Sequence, residues 1–309
     1  MTWLWIPITL FAAAAQTARN AAQRGLIKTA GTLGATLVRF LYGLPFAAAW
    51  LAILHITHPQ PDTAPVITTP FLLWITLAAV AQIIATALLL LAMQSRSFAV
   101  ATAYAKTEVL QVALLAFMLL AERISTASMI AIVLSVAGVV MLSVKPDTLA
   151  GDAPVRNPWW SSWLSPAAAY GIAAGGLFGL TAVGYRAAAL LHPDWSPFYA
   201  GAYNLVWAQS IQTLLLGGWL LARNRQALSS ALREWRLSLS AGALGTAASA
   251  GWLTAFAMHS AAEVRALSLV EVLFSYLVSH RLLKEKAEKR ELAGMGLLLM
   301  GLVVLVMAA

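Results

Sequence analysis

The 309 residues are 61% hydrophobic and only 10% charged, and mean hydropathy is +0.78, against about 25% charged residues in an ordinary soluble domain. This excludes a soluble globular chain and predicts a polytopic membrane protein. The absence of cysteine excludes a disulfide framework, a thiol nucleophile and a cysteine-ligated metal, and the net charge of +8 falls mostly in loops, where it sets orientation rather than binding nucleic acid.

In chain order, apolar runs between charged or Pro/Gly-rich breaks predict helices over 3–22, 31–54, 71–94, 98–120, 125–144, 167–190, 197–221, 237–258, 262–282 and 289–308. A span needs about 20 apolar residues, so these ten segments fill the chain and leave no room for a soluble domain. The first has no basic stretch before it and reads as a retained helix rather than a cleaved signal. The long polar connection near the middle carries Trp159, Trp160 and Trp163, an expected anchor at headgroup level. Loops after odd-numbered helices hold Arg24, Lys28, Arg96, Lys145, Arg223, Arg225, Lys284 and others, whereas those after even-numbered helices offer little beyond Arg123 and Arg265. Basic flanks stay cytoplasmic, so both termini are predicted outside, in a multi-pass protein of the bacterial inner membrane.

Two stretches repeat. TEVLQVALLAFMLLAER at 107–123 and VEVLFSYLVSHRLLKEK at 270–286 share an offset of 163 residues, which aligns Glu108 with Glu271, Glu122 with Glu285 and, further on, Gly138 with Gly301. An offset of 167 aligns Phe11 with Phe178 and Arg19 with Arg186. The chain therefore divides into 1–148, a linker over 149–166, and 167–309. Five helices is an odd number, which turns the second copy upside down relative to the first. The expected fold is all-α, ten transmembrane helices as two inverted five-helix repeats.

A glutamate early in the fourth helix, an apolar run, a Glu-Arg turn and then a glycine-containing helix (AERISTASMIAIVLSVAGVVML) resemble the EamA family of the drug/metabolite transporter superfamily. The second half, VEVLFSYLVSHRLLKEKAEKRELAGMGLLLMGLVVL, is the nearer match. The resemblance implies an exporter of small metabolites. The chain departs from the family in two ways: Val109 and Val272 stand where proline often follows the glutamates, and the basic loops place the termini opposite to the common family arrangement.

Charge inside lipid costs at least about 2.5–3.5 kcal/mol for an aspartate at mid-helix, so each intramembrane ion should face a cavity or a partner. Glu108, Glu271, Arg19, Arg39, Lys106 and Arg265 fall at such depth, joined by Arg186 and Glu263. With Tyr104 and Trp252 they form the predicted substrate or coupling set. Expected pairs are Glu108 with Arg39, and Glu271 with Arg265 or Arg19. Lys106 lies about 200° around the helix from Glu108, so the two should face different neighbours. Glu122 and Glu285, beside Arg123 and Lys286, read as solvated helix-end residues.

Cations outnumber anions in this set, which favours a substrate bearing a carboxylate or phosphate, an amino acid or organic anion, over a cationic drug. Tyr42, Trp74, Gln82, Gln111, Tyr203, Trp207, Gln209, Gln212 and Tyr276 are further candidate lining residues, with helix packing as their alternative role. There is no phosphate-binding GxxxxGK[ST] loop, the five histidines have no ligand spacing, and no nucleophile stands beside a base. The reading is thus a secondary transporter with no cofactor, no metal and no catalytic residues. Its partners are a small-molecule substrate, the lipid bilayer and protons, and it works as a monomer or homodimer. A flippase acting on phosphate headgroups, and more remotely an intramembrane enzyme, are the alternatives.

Overall fold

The structure is a computed structural model that describes residues 3–57, 67–95, 105–143, 166–274 and 289–308. Eleven helices have both ends among these residues: α1 (Trp5–Leu41), α2 (Leu44–Thr57), α3 (Thr69–Ser95), α4 (Glu108–Leu120), α5 (Thr126–Ser143), α6 (Pro166–Leu190), α7 (Pro197–Arg223), α8 (Arg225–Arg233), α9 (Trp235–Met258), α10 (Ala261–Leu267) and α11 (Lys289–Ala308). The predicted tryptophan anchor, Tyr104, Tyr276 and Glu285 lie outside the described residues.

The surface is apolar, unlike that of a soluble protein, and a set of polar and charged side chains is buried within a mainly apolar core. Leu73, Leu114, Phe117, Met118, Leu214 and Met307 are each more than half exposed, whereas Arg19, Arg39, Glu108, Glu271, Gln209 and Gln212 are buried. So large an exposed apolar surface would aggregate in water and is what acyl chains require. Among the described residues, four stretches are long and apolar enough to cross a bilayer, Leu33–Thr57, Thr69–Leu89, Ala168–Leu190 and Pro197–Arg223; Glu108–Leu120, Thr126–Met141 and Ala293–Ala308 are apolar but shorter.

Three sequence expectations are corrected. The predicted break over residues 23–30 is helical; the chain bends instead at Gly31, whose φ of 66° and ψ of 177° suit only glycine. The predicted second helix is itself interrupted at Tyr42 and Gly43, where α1 gives way to α2. There Gly43 meets Thr246 and Gln209 so closely that a β-carbon would stand 2.6 Å from the Thr246 hydroxyl oxygen. Finally, the basic stretch read as a loop after the seventh span contains α8, capped by Asn224, whose side chain accepts from the Ala227 amide at 3.1 Å.

The two halves interleave rather than stand side by side: α1 packs along α9, α3 along α6 and α5 along α11, each pairing one helix from either half. Small residues permit the approach, since lipid offers no hydrophobic drive between helices and close packing must supply the attraction. A β-carbon on Gly138 would lie 2.6 Å from the Leu298 nitrogen and 2.7 Å from the Gly294 oxygen, and one on Gly301 would lie 2.7 Å from the Ser135 nitrogen and 2.8 Å from the Ala131 oxygen. At the repeat offset of 163, Ser135 is the counterpart of Leu298 and Ala131 that of Gly294. The same contact is therefore made twice, reciprocally.

Candidate functional site

In each half a helix is interrupted by a tight turn just before a repeated glutamate. Helical residues Ala105 and Lys106 are followed by a turn at Thr107, and α4 starts at Glu108. In the second half α10 ends at Leu267, Ser268 and Leu269 turn, and helix resumes at Val270. Tight bonds hold both turns: the Leu110 amide donates to the Thr107 carbonyl at 3.1 Å, and the Glu271 amide to the Ser268 carbonyl at 3.0 Å. Neither break contains a proline. Gly175 makes room for the first, since a β-carbon there would meet the Ala105 carbonyl oxygen at 2.8 Å and the Glu108 nitrogen at 3.1 Å. Glu108 thus stands in a first helical turn, where exposed amides favour a carboxylate.

The ion pairs cross between the halves. Glu108 faces Arg265 (Oε1 to Nε, 3.0 Å), and Glu271 faces Lys106 (Oε2 to Nζ, 3.3 Å). This corrects the expected partners Arg39 for Glu108 and Arg265 for Glu271, while the other expected partner of Glu271, Arg19, does interact with it electrostatically. The Arg265 N–H is not aimed at the carboxylate oxygen, so that contact is charge against charge rather than an aligned hydrogen bond. Lys106 and Glu108 do face different neighbours, as their angular separation required. Gln16 donates to the other oxygen of Glu271 at 2.7 Å and accepts from the Trp252 indole at 3.1 Å, while the Arg265 guanidinium lies 5.3 Å from the ring centres of both Trp252 and Phe256. Sequence reasoning passed over Gln16, although a lone amide three residues before Arg19 in an apolar run was a readable signal.

Arg19 and Arg39 complete the cluster. Arg19 interacts electrostatically with Arg39, Glu271 and Arg265, and both arginines bend over Gly245, where a β-carbon would stand 3.1 Å from Arg39 Cγ and 3.4 Å from Arg19 Cδ. Arg39 reaches the Ser249 hydroxyl at 3.5 Å, and its Nε is buried with no hydrogen-bond partner among the described residues. Four cations, Arg19, Arg39, Lys106 and Arg265, thus gather with two carboxylates.

The other candidates serve elsewhere. Gln82 accepts from the Tyr185 hydroxyl at 3.0 Å and from the Gln212 amide at 2.6 Å, Gln111 donates to the Ile172 carbonyl, Gln209 donates to Thr246, and the Tyr42 hydroxyl donates to the Leu232 carbonyl. Tyr203 and Trp207 pack with Phe71, and Tyr203 also packs with His192 and Trp195, which are stacked 3.9 Å apart at the α6–α7 turn. Glu263, counted from sequence with the deep anions, sits in the first turn of α10: its amide donates to the hydroxyl of the N-cap Ser260, and its carboxylate accepts from the Ser128 hydroxyl at 2.7 Å and pairs with His259.

Glu122 is a further correction. It is not a solvated end residue but accepts from Arg186 Nε at 2.9 Å, each side chain only 15% exposed. Ala121 adopts left-handed φ of 53° at the end of α4, with the Glu122 amide returning to the Ala116 carbonyl at 3.2 Å, and this turn directs the carboxylate inward. Arg186 also donates to the Phe256 and Ala257 carbonyls at 2.9 and 3.0 Å, tying together α4, α6 and the last turn of α9. Arg186→Ala strands these acceptors and is expected to destabilise the protein by about 2 kcal/mol, measured as a lowered melting temperature in detergent. An unchanged melt would make the tie dispensable.

A two-repeat bundle with lipid-facing apolar walls and an ionic centre shared between its halves is the construction of a membrane carrier. The profile of the EamA-like transporter family matches residues 3–144 and again 165–307, and the chain belongs to that family, a membrane transporter of the drug/metabolite type. Comparison with the curated proteins returns no match. Among solved structures, one described only as "Crystal structure of protein" superposes with a TM-score of 0.69 at 15% identity, covering 98% of this chain and 96% of that one, which supports the fold alone.

Proposed function

We propose that the protein is a secondary carrier exporting a small metabolite with a carboxylate or phosphate group, an amino acid or organic anion, across the bacterial inner membrane by alternating access. It does so as ten spans in two inverted five-helix repeats, with both termini outside. The observation that carries the substrate class is the excess of positive charge: among the described residues, two buried and two partly buried cations around two carboxylates suit an anionic guest, and arginine grips such groups in two-pronged fashion.

Inversion is supported by the reciprocal glycine contact. Gly138 meets residue 294, seven positions out of register with Gly301, and Gly301 meets residue 131 in the same way. Seven residues of helix are about 10 Å, too far for parallel helices in matching register to bridge; antiparallel helices make both contacts at once. Alternating access is supported by the crossed pairs, because rocking one repeat against the other must remake both Lys106–Glu271 and Arg265–Glu108. One of the two glutamates would then exchange its cation for a proton during the cycle.

Uptake of radiolabelled amino acids, organic anions and fluorescent lipids into proteoliposomes, with and without a pH gradient, tests this reading. Arg39→Ala is expected to raise KM for an anionic substrate by roughly tenfold or more while sparing a neutral analogue, since it removes a charge-assisted contact. Equal effects on both would remove the charge selection, and lipid movement without metabolite uptake would favour the flippase.

A further inference from the structure

The basic connection between α7 and α9 is a built surface rather than a tether. Helix α8 runs between the end of one span and the start of the next, so connectivity holds it at the membrane face. One side of α8 is locked to the bundle: Ala231 is buried with Ala35, Val38 and Ala241, and Ala227 and Leu228 pack against Leu37, Phe40, Leu216 and Leu220. The Ala231 carbonyl accepts from Ser238 at 3.1 Å. The outward side forms a shallow groove of about 390 Å³ lined by Leu221, Arg225, Ser229, Leu232 and Arg233, with the partly buried Leu228 reaching it from the bundle side.

That groove is half apolar and half cationic. Leu221 and Leu232 are about half exposed, at 53% and 48%. Arg225 is braced by donating through Nε to the Leu221 carbonyl at 3.0 Å, so its position is set before any ligand arrives. Over residues 221–240 there are four arginines and a single acid, Glu234. Trp235, 53% exposed and 5.4 Å from the Arg236 guanidinium, has the amphipathic character of a headgroup-level residue. Leucines that can lie beside an acyl chain, under arginines that can grip a phosphate, fit one molecule best. We infer that α8 and its groove form a binding site for an anionic phospholipid, with Arg225 and Arg233 on the phosphate and Leu221, Leu228 and Leu232 along the upper acyl chain. Occupancy would staple the α7–α9 connection to the bilayer surface.

Native mass spectrometry of the full-length protein with phosphatidylglycerol, phosphatidylcholine or inorganic phosphate tests the site. Phosphatidylglycerol should be retained in preference to phosphatidylcholine, and Arg225→Gln/Arg233→Gln should reduce that retention roughly tenfold, as loss of two arginines near an anionic surface implies. Arg123→Gln, on a different turn, should leave it unchanged. Equal retention by the double variant, equal retention of phosphatidylcholine, or displacement of the lipid by inorganic phosphate would each overturn the assignment. Should the double variant fail to fold, Leu232→Gln keeps both arginines and should still weaken lipid retention; retention at the wild-type level would count against the site.

Discussion

Arg265→Ala is expected to lose about 3–5 kcal/mol of stability, because it leaves the Glu108 carboxylate buried without its counter-ion. The pair is shielded well enough for this to matter: the side chains are 11% and 8% exposed, so water cannot replace the guanidinium. Against a typical total of about 5–15 kcal/mol, that loss should appear as poor recovery and early melting in detergent. The double variant Glu108→Gln/Arg265→Gln removes both charges together and should regain most of the stability, since the cost lies in the orphaned ion rather than in the missing attraction. Its transport in proteoliposomes should stay abolished. A single variant that melts like wild type would show that Glu108 does not depend on Arg265, and a double variant that transports normally would assign the pair to scaffolding.

Gly138→Leu and Gly301→Leu should each destabilise by about 1–3 kcal/mol or more, and by similar amounts. A new side chain would strike backbone atoms of the facing helix at both positions, and the Ser135 hydroxyl as well at Gly301; the hydroxyl can turn aside but the backbone cannot. Helices α5 and α11 would have to part along the seam where the two halves meet. Gly218→Ala on α7, where nothing lies within 4 Å, is the control and should be neutral or slightly stabilising. Melting temperatures of the three variants read this directly. A large loss for one seam glycine and none for the other would break the equivalence of the two positions.

These expectations rest on different amounts of legible sequence. Glu108, Glu271, Gly138 and Gly301 were visible as a repeat, because duplication leaves a constant offset that needs no structure to detect. Their partners were not, since the lysine that meets Glu271 is 165 positions away and the choice among four cations depends on how helices from both halves interleave. The helix interruptions before both glutamates carried no proline to announce them; they are held by close approaches such as Gly175 against Ala105. Helix α8 was hidden because charge and polar residues dominate its exposed face, and charged runs between apolar spans ordinarily read as loops.

What the sequence alone determined was the solvent and the plan: hydropathy required a bilayer, since nothing in water tolerates 61% apolar residues with so little charge, and the repeat required two like units. The cost of an isolated ion in hydrocarbon also required that each buried charge find company. Which company it found was decided only by the tertiary structure. Lipid drives no hydrophobic sorting between helices, so glycine-permitted contacts set which helices meet, and through them that Arg265 faces Glu108, Lys106 faces Glu271 and Arg186 faces Glu122.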